Sequence, residues 1–191
     1  MQLSRSMSLG ALLAATVTVV PVVLSAQATM AMPAQKAGQA PLSPRDSLKV
    51  SVAGSDISVN YGRPSKRERV IFGGMKDMQW GMVWRMGANE ATHFTTSKPL
   101  AFGSKMVPAG TYTLFVLLDQ GGKWELIVNK QTKQWGTAYD AKQDLVRIPM
   151  KVSALPSVVE TMEIMVTPAG KGGELAVHWD KTKAVAAFTV K

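Results

Sequence analysis

From Ser47 onward, apolar side chains recur mostly at every second position. Ile57, Val59 and Tyr61 alternate with Ser58 and Asn60, and Trp124, Leu126 and Val128 alternate with Glu125 and Ile127. Met162, Ile164 and Val166 alternate with Glu163 and Met165, and Leu175, Val177 and Trp179 with Ala176 and His178. A period of two places one set of side chains on one face of a strand, where it can be buried. Thr111–Leu118 (TYTLFVLL) is a continuous run instead, the pattern of a strand covered on both faces. Asp119-Gln120-Gly121-Gly122 joins that run to Lys123–Lys130 as a hairpin, and Pro168–Gly173 joins two further strands in the same way. Gly54-Ser55-Asp56 and Asp180-Lys181-Thr182 mark additional turns. No window shows the period of a long amphipathic helix. Arg67–Gly81 is the least regular stretch and reads as a short helix or a long loop. The pattern predicts an all-β fold: an antiparallel β-sandwich, jelly-roll-like or Greek-key, with about eight to ten strands and little helix. There is no repeat at a fixed period.

The start of the chain follows a different rule. Arg5 precedes an uncharged apolar stretch from Leu9 to Leu24, and Ser25-Ala26-Gln27-Ala28 supplies small residues at a cleavage spacing. These are the parts of a secretory signal. Pro21 and a stretch shorter than the ~20 residues of a membrane span argue against an anchor. Residues 1–28 are therefore expected to be a signal peptide, 29–46 a flexible linker rich in Ala, Pro, Gln and Ser, and 47–191 a single β-sandwich domain. The expected location is exported, in the periplasm or outside the cell, with no transmembrane span after signal removal.

Composition then narrows the chemistry. The chain has 191 residues, a formal charge of +9 and no cysteine. Without cysteine there is no disulfide, thiol nucleophile, thiolate iron–sulfur cluster or cysteine-based zinc site. An exported domain of this kind must be held by its apolar core alone. The expected signal peptide holds one base and no acid, so its removal leaves a charge of +8. The excess positive charge favours an anionic partner and says nothing about fold.

Two polar segments interrupt the strand pattern: Tyr61-Gly62-Arg63-Pro64-Ser65-Lys66-Arg67-Glu68-Arg69-Val70-Ile71-Phe72-Gly73 and Trp84-Arg85-Met86-Gly87-Ala88-Asn89-Glu90-Ala91-Thr92. Both set arginine next to Gly or Pro and close to an aromatic ring, an arrangement that holds a guanidinium in place with its donor fork outward. With Ala109-Gly110-Thr111-Tyr112, Trp124, Asn129-Lys130, Trp135-Gly136, Tyr139, Asp144 and Arg147, these motifs resemble the domain of unknown function (DUF) 2911 family of exported bacterial proteins, from about Val50 to the C-terminus. The chain departs from the family pattern at Arg67-Glu68-Arg69 and at Asp77-Met78-Gln79-Trp80-Gly81. The resemblance implies a mostly β domain with an export signal, and no activity.

The candidate ligand-binding residues are Arg63, Arg69, Arg85, Asn89, Glu90 and His93. In one reading Arg85 clamps a carboxylate or phosphate while Asn89 orients it. In the plainer one Arg85 pairs with Glu90 and Asn89 closes a turn. Arg63, Lys66, Arg67 and Arg69 form either an anion patch or a solvated basic loop. Nucleic acid is not an expected partner, because no aromatic–basic binding motif accompanies the cluster. No metal and no cofactor are expected: His93 and His178 lack ligand spacing, and no phosphate-cradling loop or nucleophile elbow is present. The preferred expectation is a binding or accessory module for an anionic or polar small molecule or an envelope component, through the Arg85/Asn89/Glu90 loop. The alternatives are a hydrolase-like enzyme using Glu90 or His93 with Arg85, and a structural interaction protein of the cell envelope.

Overall fold

The computed structural model describes residues 41–191; the expected signal peptide and residues 29–40 of the expected linker lie outside the described residues. Eleven strands form: β1 (Arg45–Val52), β2 (Ser55–Gly62), β3 (Val83–Trp84), β4 (Thr92–Thr96), β5 (Leu100–Phe102), β6 (Lys105–Val107), β7 (Gly110–Leu117), β8 (Glu125–Asn129), β9 (Asp144–Pro149), β10 (Lys151–Ala169) and β11 (Gly172–Val190). Among the described residues the only helical element is one 3-10 turn, Ala141–Gln143. The all-β expectation holds. The strand count exceeds eight to ten because β3, β5 and β6 are two or three residues long, too short to display a period.

All strand pairs are antiparallel and build two sheets. The first has the order β1-β2-β4-β7-β8-β9, with β3 also paired to β7; the second runs β10-β11-β5-β6. Their facing sides share one core, in which Val59, Phe94, Leu114, Leu126 and Ile148 of the first sheet meet Leu100, Phe102, Leu175, Val177 and Phe188 of the second. Each fully buried side chain of this size contributes roughly 1.5–3 kcal/mol, so this layer dominates stability in a chain with no covalent cross-link. β7 is buried from Tyr112 to Val116, as its continuous pattern predicts. Its outer face is covered by the segment after β8, where Phe115 packs edge-on against Tyr139 at 4.9 Å.

Three local expectations shift. The β1–β2 turn lies at Ala53-Gly54, and Ser55 and Asp56 already belong to β2. β1 begins inside the stretch expected to be linker, with Arg45 and Asp46 opposite Gly62 and Tyr61. Asp180-Lys181-Thr182 is not a turn between strands. It is an irregularity within β11, where Asp180 takes φ 52° opposite Val159 and the register shifts on both sides. A residue that tolerates positive φ serves a bulge as readily as a turn. The edge position of β10 also accommodates Pro156.

Arg67–Gly81 forms the long loop and not the short helix; it buries Ile71 and Met78 in the core. β3 and β4 lie end to end along β7, with Trp84 opposite Val116 and Thr92 opposite Leu114. The polar motif Arg85–Ala91 is therefore thrown out of one interrupted strand position, a loop whose ends stay together. Thr92 Oγ1 closes it from inside by donating to the Met86 carbonyl at 2.8 Å.

Candidate functional site: an arginine-lined cleft on the first sheet

Three loops converge beside the outer face of β7. The loop after β2 brings Asp77, the Arg85–Ala91 loop brings Arg85, and the segment between β8 and β9 brings Gly136, Thr137 and Tyr139. They are stitched by backbone contacts: Glu90 bridges Trp135, Ala91 N–H donates to the Gln134 carbonyl at 3.2 Å, and Gly136 N–H donates to the Asn89 carbonyl at 2.9 Å. Asn89 takes φ 62°, which Asn tolerates better than most residues. Gly136 is required by space: a Cβ there would stand 2.6 Å from both Arg85 Cδ and the Asn89 carbonyl oxygen.

Between the loops lies a cleft of about 140 Å³, bordered by Asp77, Met82, Arg85, Phe115, Thr137 and Tyr139, among others. Arg85 Nη2 meets Asp77 Oδ2 at 3.0 Å, and Arg85 Nε donates to the Gly87 carbonyl at 3.3 Å. Arg85 Nη1 and Asp77 Oδ1 have no hydrogen-bond partner among the described residues. The Arg85 side chain is 20% exposed, enough to reach a ligand and enclosed enough to strengthen its field. Behind the cleft, Tyr139 donates to Asp144 Oδ2 at 2.6 Å and accepts from Arg147 Nη2 at 2.8 Å. Burial and the Asp144 carboxylate push the Tyr139 hydroxyl up to about 12, so it stays protonated and fixes the wall.

The remaining sequence-predicted residues sit elsewhere. Glu90 does not pair with Arg85. Its partner is Arg45, at 3.0 Å, because the loop turns Glu90 toward the start of β1. Arg45 also donates to the side chain and carbonyl of Asn60 and to the Glu90 and Ala91 carbonyls. His93 lies on the outer face of β4, and its Nε2 accepts from Lys133 N–H at 3.0 Å. Burial, reinforced by the Arg45 guanidinium, lowers the His93 pKa below the usual histidine value. Asn89 Nδ2 reaches the Ser43 carbonyl at 3.4 Å.

Arg63 ties the two sheets, donating to the Met162 carbonyl and pairing with Asp46 and Glu163, each at 3.2 Å. Arg69 folds its own loop by donating to the Lys66 and Ser65 carbonyls. The structure thus brings Arg85 together with Asp77, and Glu90 together with Arg45. No hydrogen bond or ion pair among the described residues joins the two groups. Among the described residues no group of three or more His, Cys, Asp or Glu is placed to hold a metal, and no helix is long and apolar enough to cross a membrane.

Sequence reasoning missed Asp77, Thr137 and Arg45 as site residues. Asp77 falls in an aperiodic stretch, and Thr137 carries no pattern. Arg45 is the first residue of β1, ahead of the weak alternation of Leu48, Val50 and Val52 that announces the strand. Neither a curated protein nor a solved structure is found to match the chain. A family model described as a protein of unknown function (DUF2911) matches residues 43–188. That span takes in all three cleft loops and nearly all of both sheets, so the chain belongs to the DUF2911 family.

Proposed function

We propose that this protein is an exported binding module whose partner presents a compact anionic group to Arg85. The observation that carries this reading is the unpartnered Nη1 of the largely enclosed Arg85 side chain at the wall of a cleft. A guanidinium recognises carboxylate and phosphate oxygens through paired N–H donors. The volume suits one such group, not a polymer chain. The hydrolase-like alternative gains nothing from this arrangement, since Glu90 and His93 face Arg45 and Lys133. A role as an envelope interaction protein draws support from Arg63, Arg69 and Glu90, whose polar groups brace the fold.

The test is a titration of the chain with acetate and with inorganic phosphate, followed by the NMR signals of the Arg85 side chain and the Gly136 and Thr137 amides. Saturable shifts should appear in the wild type and vanish in folded Arg85→Ala. Identical shifts in that variant would place the binding elsewhere.

A further inference from the structure

We infer that the Arg85 cleft selects a small zwitterion, an α-amino acid or a group of that chemistry, whose carboxylate meets Arg85 while its ammonium meets Asp77. The inference rests on the reading of the cleft as the binding site and adds the class of ligand.

The pairing geometry comes first. Arginine and carboxylate commonly meet fork to fork, with two parallel bonds that occupy both partners. Here a single Nη2–Oδ2 contact at 3.0 Å joins them. One guanidinium nitrogen and one carboxylate oxygen remain without partners, and both residues border the same cavity. The cleft therefore offers a donor edge and an acceptor side by side.

Electrostatics then discriminates between ligands. A simple anion drawn to Arg85 must also approach the negative Asp77, and like charges in a partly enclosed site repel strongly. A simple cation meets the converse problem at Arg85. A molecule carrying both charges on neighbouring atoms satisfies both residues and leaves the cleft neutral. No other ion pair among the described residues involves Arg85 or Asp77, so nothing else compensates a lone guest charge.

The lining sets size and polarity. Room of about 140 Å³ corresponds to roughly four or five waters at their liquid volume. That accommodates glycine or alanine, or the zwitterionic head of a longer molecule. Met82, Val83 and Phe115 supply apolar contact for the aliphatic part. The Thr137 hydroxyl has no hydrogen-bond partner among the described residues and borders the same space. Tyr139 contributes its ring, since its hydroxyl is held by Asp144 and Arg147.

The experiment compares alanine, acetate, methylammonium and inorganic phosphate on the whole chain, read by the same Arg85, Gly136 and Thr137 signals. Alanine should bind at least about tenfold more tightly than acetate, a modest gain for one added charge-assisted contact. In Asp77→Asn that advantage should disappear, with acetate binding as well as before or better. Arg85→Lys, which keeps the charge, should retain weak alanine binding if Arg85→Ala proves poorly folded. Acetate or phosphate binding as tightly as alanine would overturn the zwitterion inference and leave the anion-binding reading standing. Alanine binding that is unchanged in Asp77→Asn would overturn it as well. Absence of any shift with all four probes would remove both.

Discussion

Gly62 shows how one residue governs the loop that carries Arg85. It ends β2 with an ordinary φ, so its requirement is for space and not for unusual backbone geometry. A Cβ there would overlap the Ala88 carbonyl oxygen, with the Ala88 nitrogen only 3.2 Å away. The overlapped atoms are backbone, so relief requires the Arg85–Ala91 loop to move. Gly62→Ala should destabilise the fold by about 1–3 kcal/mol, the usual range for overpacking. Urea unfolding would report a lowered midpoint with an unchanged slope, and an unaltered midpoint would show that the loop yields freely. The motif around Gly62 was legible in the sequence because glycine, arginine and proline interrupt the alternation. What it touches was not, since Gly62 and Ala88 are brought together only when β2 and β4 pair. The same holds for Glu90: its charge marked it as notable, but its partner Arg45 is set by the β1–β2 register and not by proximity in the chain.

At the scale of elements, the two sheets are locked by an aromatic cluster. Trp84 of β3 stacks on Trp179 of β11 at 5.9 Å, and Phe72 from the long loop meets Trp84, Trp124 and Trp179. Trp179 and Trp84 are each 1% exposed, so truncation leaves a cavity that no solvent fills cheaply. Trp179→Ala should lose about 3–5 kcal/mol, as large buried aromatics do. Chemical denaturation monitored by circular dichroism would measure it; a loss below about 1 kcal/mol would mean that the cluster repacks. Period-two patterning exposed β2, β8 and the halves of β10 and β11 next to their shared turn, because each has one face against the core, while the continuous apolar run exposed β7, which is covered on both faces. It failed at Asp180, where a polar residue with positive φ looks identical in sequence whether the chain reverses or merely kinks. It failed also at Asp77 and Thr137, whose place in the cleft follows from loops with no periodicity at all.

Across the whole molecule, all six ion pairs among the described residues use arginine and none uses lysine. Arginine holds the architecture together, while lysine supplies the net positive charge at the surface. Such exposed charge is screened by salt and has little bearing on pH stability near neutrality. The histidines do bear on it. Burial lowers the pKa of His93, aided by Arg45, and burial lowers that of His178, aided by Lys183 and opposed by Glu163. As pH falls through the unfolded value of 6.5, the unfolded chain takes up protons that the folded one resists, so stability declines. The tyrosines act at the other end. Tyr61, Tyr112 and Tyr139 are all raised above 10, chiefly by burial. Above that value the unfolded chain releases phenolic protons that the folded one keeps, and the stabilisation is lost as pH climbs toward the folded values. The expected result is a plateau in melting temperature between about pH 7 and 10, sloping downward on both sides. The acid slope should flatten in the double variant His93→Gln, His178→Gln, and tyrosinate absorbance in the folded protein should rise only above pH 10. An acid slope unchanged in the double variant would assign that limb to other groups, and a tyrosinate signal emerging at the free-tyrosine value would mean that at least one of the three phenols is open to water in the folded protein.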